Sequence, residues 1–281
     1  MPALSLEGSN RPRAEIPPAH GGPLEGGIAH VAVVVPARNE AERIAPAIRS
    51  ICRAANQLRA MRPGMDIRVV VVLDACDDGT AEAAVDAAGP AECLSLIDVR
   101  LHSAGASRAA GIRAALAATT AAPEQIWLAN TDADSVVPPH WLCGQVELAE
   151  SGADAVLGTV EPDPSELDRS LLNAWARRHR FAEDHPHVFG ANFGVRASHY
   201  LRVGGFEPVR IHEDRILAER LRRAGSAVVA TDTLRVITSS RLQGRAPHGF
   251  ASYLRGLGDA LAMHPDAAEA ASAPRWIFEP D

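Results

Sequence analysis

Short apolar runs alternate with amphipathic stretches in the first half of this chain, and this alternation constrains the fold more than any other feature. Residues 30–35 read His-Val-Ala-Val-Val-Val, and residues 69–73 read Val-Val-Val-Val-Leu. Both runs have the length and the β-branched content of strands that are buried on both faces. Between them, apolar residues recur at helical spacing from Ile44 to Leu58, which predicts an amphipathic helix.

The pattern continues and predicts an α/β fold with a mostly parallel central sheet flanked by helices. Strands are predicted at 93–99 and 126–129, with helices before each of them. The second half is less regular. Its predicted strands lie at 154–160, 226–231 and 234–238, its helices at 166–183, 213–225 and 249–262, and a Gly/Asn-rich stretch at 190–205. No G-x-G-x-x-G follows a strand, so a dinucleotide fold is not supported.

Composition excludes several classes of function. The net charge of -7 argues against a nucleic-acid partner, which would need a basic surface. All 28 basic residues are arginine, so neither a P-loop nor a Schiff-base enzyme can be built. The cysteines are scattered, which favours reduced thiols over a zinc site or disulfides; they are Cys52, Cys76, Cys93 and Cys143. No apolar run has the length of a membrane span and no signal peptide is visible, so we expect a soluble, cytoplasmic protein without an integral membrane segment.

Three aspartates stand at or just past the ends of predicted strands: Asp74, Asp132 and Asp134. Parallel sheets bind ligands at the carboxyl ends of their strands. Two carboxylates spaced as Asp-Ala-Asp can share a hard divalent cation that keeps coordination sites for phosphate oxygens. The alternative is that these aspartates cap turns and helix starts.

Three further charged residues lie at or near the start of a predicted helix. Glu213 and Asp214 open a predicted helix, where acids also favour the helix dipole without any function. Arg108 lies among small residues early in another helix. It is either a solvated surface arginine or a clamp for a phosphate or a base.

The order of these segments is more specific than any one of them. Pro-Ala-Arg-Asn-Glu (36–40) is followed by Asp-Ala-Cys-Asp-Asp-Gly-Thr (74–80), Ser-Arg-Ala-Ala-Gly (107–111), Asp-Ala-Asp (132–134), and Gly-Gly-Phe (204–206) before Glu213-Asp214. Over residues 30 to 245 this series resembles the GT-A glycosyltransferases of family 2. The resemblance implies the GT-A fold and an inverting transfer of a sugar from a nucleotide-diphospho-sugar donor to an acceptor hydroxyl. It also implies a divalent cation, Mn or Mg.

The resemblance also implies roles for individual residues. Those assigned to nucleotide binding are Pro36, Arg38, Glu40, Asp74, Arg108 and Asp132. Asp74 would accept a hydrogen bond from the base, and Arg108 would stand beside the base or the diphosphate. Asp132 would approach the ribose and the metal, and Asp134 would ligate the metal. Asp214 would be the general base with Glu213 beside it, while 190–193 and 204–206 would border the donor sugar and the acceptor.

The chain departs from the family pattern at several positions. Cys76 stands where serine is usual, Ala109 where asparagine is frequent, and Leu73 where a second aspartate is common. The Q-x-x-R-W segment of processive members is absent, and Gln-Gly-Arg at 243–245 is its nearest counterpart, so we expect a non-processive enzyme. His248 is a candidate for a late metal ligand, although a surface histidine is the simpler interpretation.

The predicted organisation is a disordered lead-in (1–28), one domain (29–262) and a C-terminal tail (263–281). Within the domain, 29–135 would be the nucleotide-binding half and 136–262 the acceptor half. Two other functions stay open on sequence alone. One is a catalytically silent nucleotide-sugar-binding protein. The other is a nucleotidyltransferase on a similar sheet, which would need a basic Gly-rich loop and a lysine that this chain lacks. The acceptor has no readable signature.

Overall fold

The computed structural model describes residues 27–90, 94–179, 181–209, 211–242 and 250–263. Its strands are β1 (His30–Ala37), β2 (Asp66–Asp74), β3 (Leu94–Val99), β4 (Ile126–Asn130), β5 (Ser135–Val136), β6 (Ala155–Pro162), β7 (Phe193–Arg196) and β8 (Val228–Thr238). Its helices are α1 (Ile44–Met61), α2 (Thr80–Ala88), α3 (Ala104–Ala117), α4 (Trp141–Glu150), α5 (Arg169–Arg178), α6 (Ala197–Arg202), α7 (Glu213–Arg223) and α8 (Phe250–Met263). Two 3₁₀ turns, at Pro123–Gln125 and Gly190–Asn192, precede β4 and β7.

The strands form one sheet in the order β3-β2-β1-β4-β7-β6-β8-β5. β1, β2, β3 and β4 are mutually parallel, and β6 is parallel to β8. β7 lies antiparallel between β4 and β6, and β5 pairs antiparallel with β8. The predictions of an α/β fold and of a mostly parallel sheet flanked by helices are therefore confirmed.

The two faces of the sheet build separate apolar layers. Along β1, Val33 and its alternate neighbours belong to the layer that includes α1, whereas Val34 belongs to the layer that includes α3 and α7. Helix α3 lies so close to the sheet that a Cβ at Gly111 would be 2.5 Å from a methyl carbon of Val34 and 2.7 Å from one of Val72. Glycine at this position therefore fixes the depth of α3, and the start of α3 carries Arg108.

The structure corrects three predictions in the second half. The two strands predicted at 226–231 and 234–238 are one strand, β8, because Asp232 is hydrogen bonded inside it rather than turning the chain. The Gly/Asn-rich stretch at 190–205 contains β7 and α6. Helix α5 is shorter than the predicted 166–183 and ends before His179, whose ring stacks on Trp175.

Several predictions lie wholly or mostly outside the described residues. They concern the lead-in at 1–28, the tail at 263–281, Cys93, the 243–245 segment and His248. Within the described ranges, no helix combines the length and the apolar character that crossing a membrane requires.

Candidate active site

The chemistry-bearing residues gather at the edge where β1, β2 and β4 end. Asp74 is the last residue of β2, and Asp132 follows the end of β4 by two residues. Glu40 lies three residues after the end of β1. The pairing of β1 with β4 ends at Val34, so Pro36 interrupts no hydrogen bond between these two strands. Adjacent parallel strands thus deliver carboxylates from distant parts of the sequence to one place.

The loops that follow β1 and β2 are hydrogen bonded to each other. The Asn39 amide donates to the Asp77 carboxylate at 2.5 Å and its oxygen accepts from the Asp77 N–H at 2.9 Å. The Cys76 thiol donates to the Ala37 carbonyl, and its sulfur accepts from the Asn39 N–H, both at 3.4 Å. Cys76 therefore links the two loops at the position where the family usually has serine.

Asp74 organises the loop that leads into α3. Its Oδ1 accepts from the N–H groups of Leu101 and His102 at 2.7 and 2.9 Å. Its Oδ2 accepts from the Ser103 N–H at 3.1 Å and the Ser107 hydroxyl at 3.0 Å. Burial alone would raise the pKa of Asp74, but these donors lower it. A carboxylate has about four acceptor sites, so four internal donors occupy this one. The predicted hydrogen bond from a base stays a prediction.

Arg108 lies between two carboxylates and is almost fully buried. Its guanidinium donates to Asp132 Oδ1 at 2.5 Å and also to Glu213 Oε1. Burial alone would lower the pKa of the Arg108 guanidinium, but the Asp132 and Glu213 carboxylates raise it. A Cβ at Gly190 would stand 2.6 to 2.8 Å from the guanidinium atoms, so only glycine leaves room for it. Its predicted contact with the nucleotide stays a prediction.

The Glu213-Asp214 pair begins α7, and its two members differ in environment. Glu213 is buried against Arg108; burial raises its pKa while Arg108 opposes that rise. Asp214 is partly exposed, and its Oδ2 accepts from the Gly190 N–H at 2.7 Å. Asn192 fixes this turn by donating to the Thr159 carbonyl at 2.8 Å and to the Leu234 carbonyl at 2.7 Å.

Asp134 belongs to a second group of charged residues, next to the group formed by Arg108, Asp132 and Glu213. Arg241 binds both oxygens of Glu40, at 2.8 and 2.7 Å, and reaches Asp134 Oδ2 at 3.0 Å. Burial, together with the Asp132 and Glu40 carboxylates, raises the pKa of Asp134 to about 6, although Arg241 opposes this. Three carboxylates therefore converge on a region where a cation is electrostatically favoured.

The donor chemistry of this region fits a hard divalent cation. Asp132 and Asp134 offer carboxylate oxygens, which Mg²⁺ and similar ions prefer, and such ions often bind through one or two carboxylates plus substrate phosphates. Among the described residues, no group of three or more His, Cys, Asp or Glu side chains is arranged to hold a metal by itself. The residues therefore suit a cation shared with a bound diphosphate better than a permanent site.

The structure brings most of the predicted site residues together. Glu40, Asp132 and Asp134 line one cluster, and Arg108 joins Asp132 to the Glu213-Asp214 pair. Pro36 is partly buried near the end of β1, and Arg38 is exposed just beyond it. Sequence reasoning missed Arg241, and it included Asn192 only as part of the 190–193 segment expected to border the donor sugar and the acceptor. Nothing distinguishes Arg241 from the other 27 arginines in the sequence, because Glu40 is 201 positions away.

The raised pKa of Asp134 predicts a pH-dependent stability. A carboxyl whose pKa is near 6 when folded and 3.8 when unfolded binds its proton more tightly in the folded state. Its favourable contribution is therefore complete below the unfolded value and is lost as the pH rises through about 6. In EDTA, the free energy of unfolding of the wild type, relative to Asp134→Asn, should fall between pH 4 and pH 7. Urea unfolding across this range measures it, and a constant difference would contradict the assignment.

Known proteins resemble this chain in sequence pattern and in fold. The model of the family described as Glycosyl transferase family 2 matches residues 32–206. No curated protein sequence matches the chain. Similar solved structures include a mannosyltransferase, PcManGT, from Pyrobaculum calidifontis in complex with GDP-Man and Mn²⁺. It has 21% identity and a TM-score of 0.52, and the match covers 92% of this chain and 80% of that one.

Two other structures are similar at comparable levels. S. aureus TarS has 13% identity and a TM-score of 0.53; the match covers 84% of this chain but only 39% of TarS. A mycobacterial protein has 19% identity and a TM-score of 0.51, with 80% and 71% covered. Identities this low establish the fold alone, whereas the family model spans more than half of the sequence. The protein therefore belongs to glycosyl transferase family 2 and is a glycosyltransferase with the GT-A fold.

Proposed function

We propose that this enzyme transfers a sugar from a nucleotide-diphospho-sugar to an acceptor hydroxyl, with inversion and with the help of a divalent cation. The main support for this proposal is a series of contacts in which Arg108 joins Asp132 to Glu213. Asp214, the next residue, accepts a hydrogen bond from the Gly190 N–H. These contacts hold the Asp-Ala-Asp segment and the Glu-Asp pair in a fixed relation, as a displacement between a donor and an acceptor requires.

The donor end of the site would use Asp132 and Asp134. The bond between the anomeric carbon and the diphosphate breaks, and the diphosphate leaves with the electron pair. A cation held by the two aspartates would offset this charge as a Lewis acid. Pro36, Arg38 and the loop ordered by Asp74 would border the nucleotide. That a similar mannosyltransferase has been solved with GDP-Man and Mn²⁺ supports this class of donor and cofactor.

The acceptor end would use Asp214 as the general base. The acceptor hydroxyl attacks the anomeric carbon from the face opposite the diphosphate, and its proton passes to the Asp214 carboxylate. Glu213 suits this role less well, because it is buried and already paired with Arg108. We assign Glu213 to positioning. The expectations of a non-processive, single-sugar transfer and of a cytoplasmic location rest on the sequence and stay predictions.

A metal-linked effect of nucleotide on stability tests the donor half of the proposal. A ligand that binds only the folded state raises its stability by about 2.7 kcal/mol at a hundred times its Kd. UDP and GDP should therefore be compared in a thermal-shift assay with Mn²⁺, with Mg²⁺ and with EDTA. One of them should raise the Tm appreciably with metal and much less with EDTA.

Asp134→Ala serves as the matched variant in the same assay. It removes the proposed metal ligand, so it should fold and lose the metal-linked part of the Tm shift. An equal Tm shift with and without metal in the wild type would contradict the role of the cation.

A further inference from the structure

Arg241 contacts two carboxylates of the candidate site. The Arg241 guanidinium makes two hydrogen bonds to Glu40, at 2.8 and 2.7 Å, and contacts Asp134 Oδ2 at 3.0 Å. Glu40 and Asp134 belong to segments that precede α1 and β5, so this one side chain joins two separate loops of the site. No part of the mechanism above uses it.

The backbone that carries Arg241 is firmly held. It follows β8, and the two serines before it bind Glu166: the Ser239 hydroxyl donates at 2.9 Å and the Ser240 N–H donates at 2.7 Å. The Ser240 hydroxyl also donates to the Asp163 carbonyl at 2.9 Å. The two residues before Arg241 are therefore fixed by the fold, and the guanidinium itself is held by its two hydrogen bonds to Glu40.

Arg241 occupies the carboxylate that the proposed cation would use. Its guanidinium lies 3.0 Å from Asp134 Oδ2 and is hydrogen bonded to both oxygens of Glu40. Asp132, the other proposed metal ligand, accepts from Arg108 at 2.5 Å, so each of the two aspartates already faces an arginine. Two cations cannot both bind the same carboxylate at full strength, because each would repel the other at short range.

We propose that Arg241 is a resident cation of the donor site, which a divalent cation must displace from Asp134 in order to bind. The inference rests on the proposed metal site. The hydrogen bonds from Arg241 to Glu40 would keep the displaced guanidinium at the same edge of the sheet. Arg241 is thus a positioning residue that orders Glu40 and Asp134 before the donor arrives and sets how tightly the site holds the metal.

The direct test measures Mn²⁺ affinity in the full chain in the presence of the nucleoside diphosphate, UDP or GDP, that the thermal-shift assay selects. Electron paramagnetic resonance follows the free Mn²⁺ signal, and a protein-free sample gives the Mn²⁺ held by the nucleotide alone. Arg241→Gln should bind Mn²⁺ at least about tenfold more tightly than the wild type, because a positive charge in contact with the ligand has been removed. Arg43→Gln is the matched control. The Nε of Arg43 donates to the Ser239 hydroxyl at 3.2 Å, two residues before Arg241. The substitution therefore removes one positive charge from the same region, at a residue with no described contact to Asp134. Its Mn²⁺ affinity should equal that of the wild type.

Each other outcome overturns the inference in a distinguishable way. Equal Mn²⁺ affinity in the wild type and Arg241→Gln would reject competition while leaving the metal site intact. A gain of the same size in Arg43→Gln would show that net charge matters and the contact does not. Absence of Mn²⁺ binding in all three proteins would reject the metal site together with the inference.

A measurement on the unmodified protein avoids any folding defect of the variant. In a crystal structure of the wild type soaked in Mn²⁺ together with UDP or GDP, the ion should occupy Asp134 and the Arg241 guanidinium should have left hydrogen-bonding distance of that carboxylate. Mn²⁺ on Asp134 with the Arg241 contact still at 3.0 Å would overturn the inference.

Discussion

Replacing Asp214 with Asn should lower turnover by about a hundred- to ten-thousand-fold, the usual contribution of a general base. The amide cannot take the proton of the acceptor hydroxyl. Its oxygen can still accept one hydrogen bond, such as the one from the Gly190 N–H at 2.7 Å. Donor affinity depends on groups at the other end of the site and should change little. The variant should lose only about 0.3–1 kcal/mol of stability through the weaker interaction with the helix dipole.

Glu219→Gln makes the same chemical change on the exposed face of the same helix and serves as the control. Steady-state kinetics for both variants, with their melting temperatures, separate the two roles of Asp214. A collapsed kcat at an almost constant Tm would identify the base. If Asp214→Asn and Glu219→Gln were equally active, Asp214 would only cap its helix, and the base would lie elsewhere.

Replacing Arg108 with Met should have the largest effect on stability. Arg108 is almost fully buried and pairs with Asp132 and Glu213, of which Glu213 is the more buried. Removing one partner of a buried ion pair typically costs about 3–5 kcal/mol, because the other charge is left uncompensated. Activity should also be lost, since the link between the two carboxylate segments is broken. Urea unfolding and kinetic assays measure the two effects separately.

A second substitution tests the physical cause of that loss. In Arg108→Met with Glu213→Gln, the buried charge that lost its partner is gone, so the double variant should recover a substantial part of the stability. Its activity should stay low because the link to Asp132 is still missing. A double variant no more stable than Arg108→Met alone would mean that packing around the guanidinium, and not charge, explains the cost.

The sequence predicted the elements whose pattern is local. β1 and β2 are continuous β-branched runs, and α1 has a clear apolar stripe, so each was identified close to its observed bounds. β7 has only four residues and includes Gly194, against which Trp127 and Gln145 pack, so neither length nor alternation marked it. β8 looked like two strands because Asp232 resembles a turn residue, whereas the fold buries it between Thr159 and Arg235.

In the candidate site, too, the sequence predicted what has a local pattern and did not predict contacts between distant positions. The carboxylates were found because their order along the chain forms a recognisable series. Arg108 was found with them, but its pairing with these carboxylates and the involvement of Arg241 were not, because the contacts join positions far apart. Arg108 and Glu213 are separated by 105 positions, and Glu40 and Arg241 by 201. Ion pairs at such separations leave no periodic trace in a sequence, and only the folded sheet edge brings them together.

The anomeric configuration of the sugar released from the donor tests the central claim most directly. Single displacement with Asp214 as base inverts the anomeric carbon, and slow transfer to water allows the measurement before any acceptor is known. The donor is the nucleotide-diphospho-sugar selected by thermal shift, and proton NMR records the first-formed sugar before mutarotation. An α-linked donor should release the β-anomer first. Release of the α-anomer first would contradict a single displacement and the role assigned to Asp214.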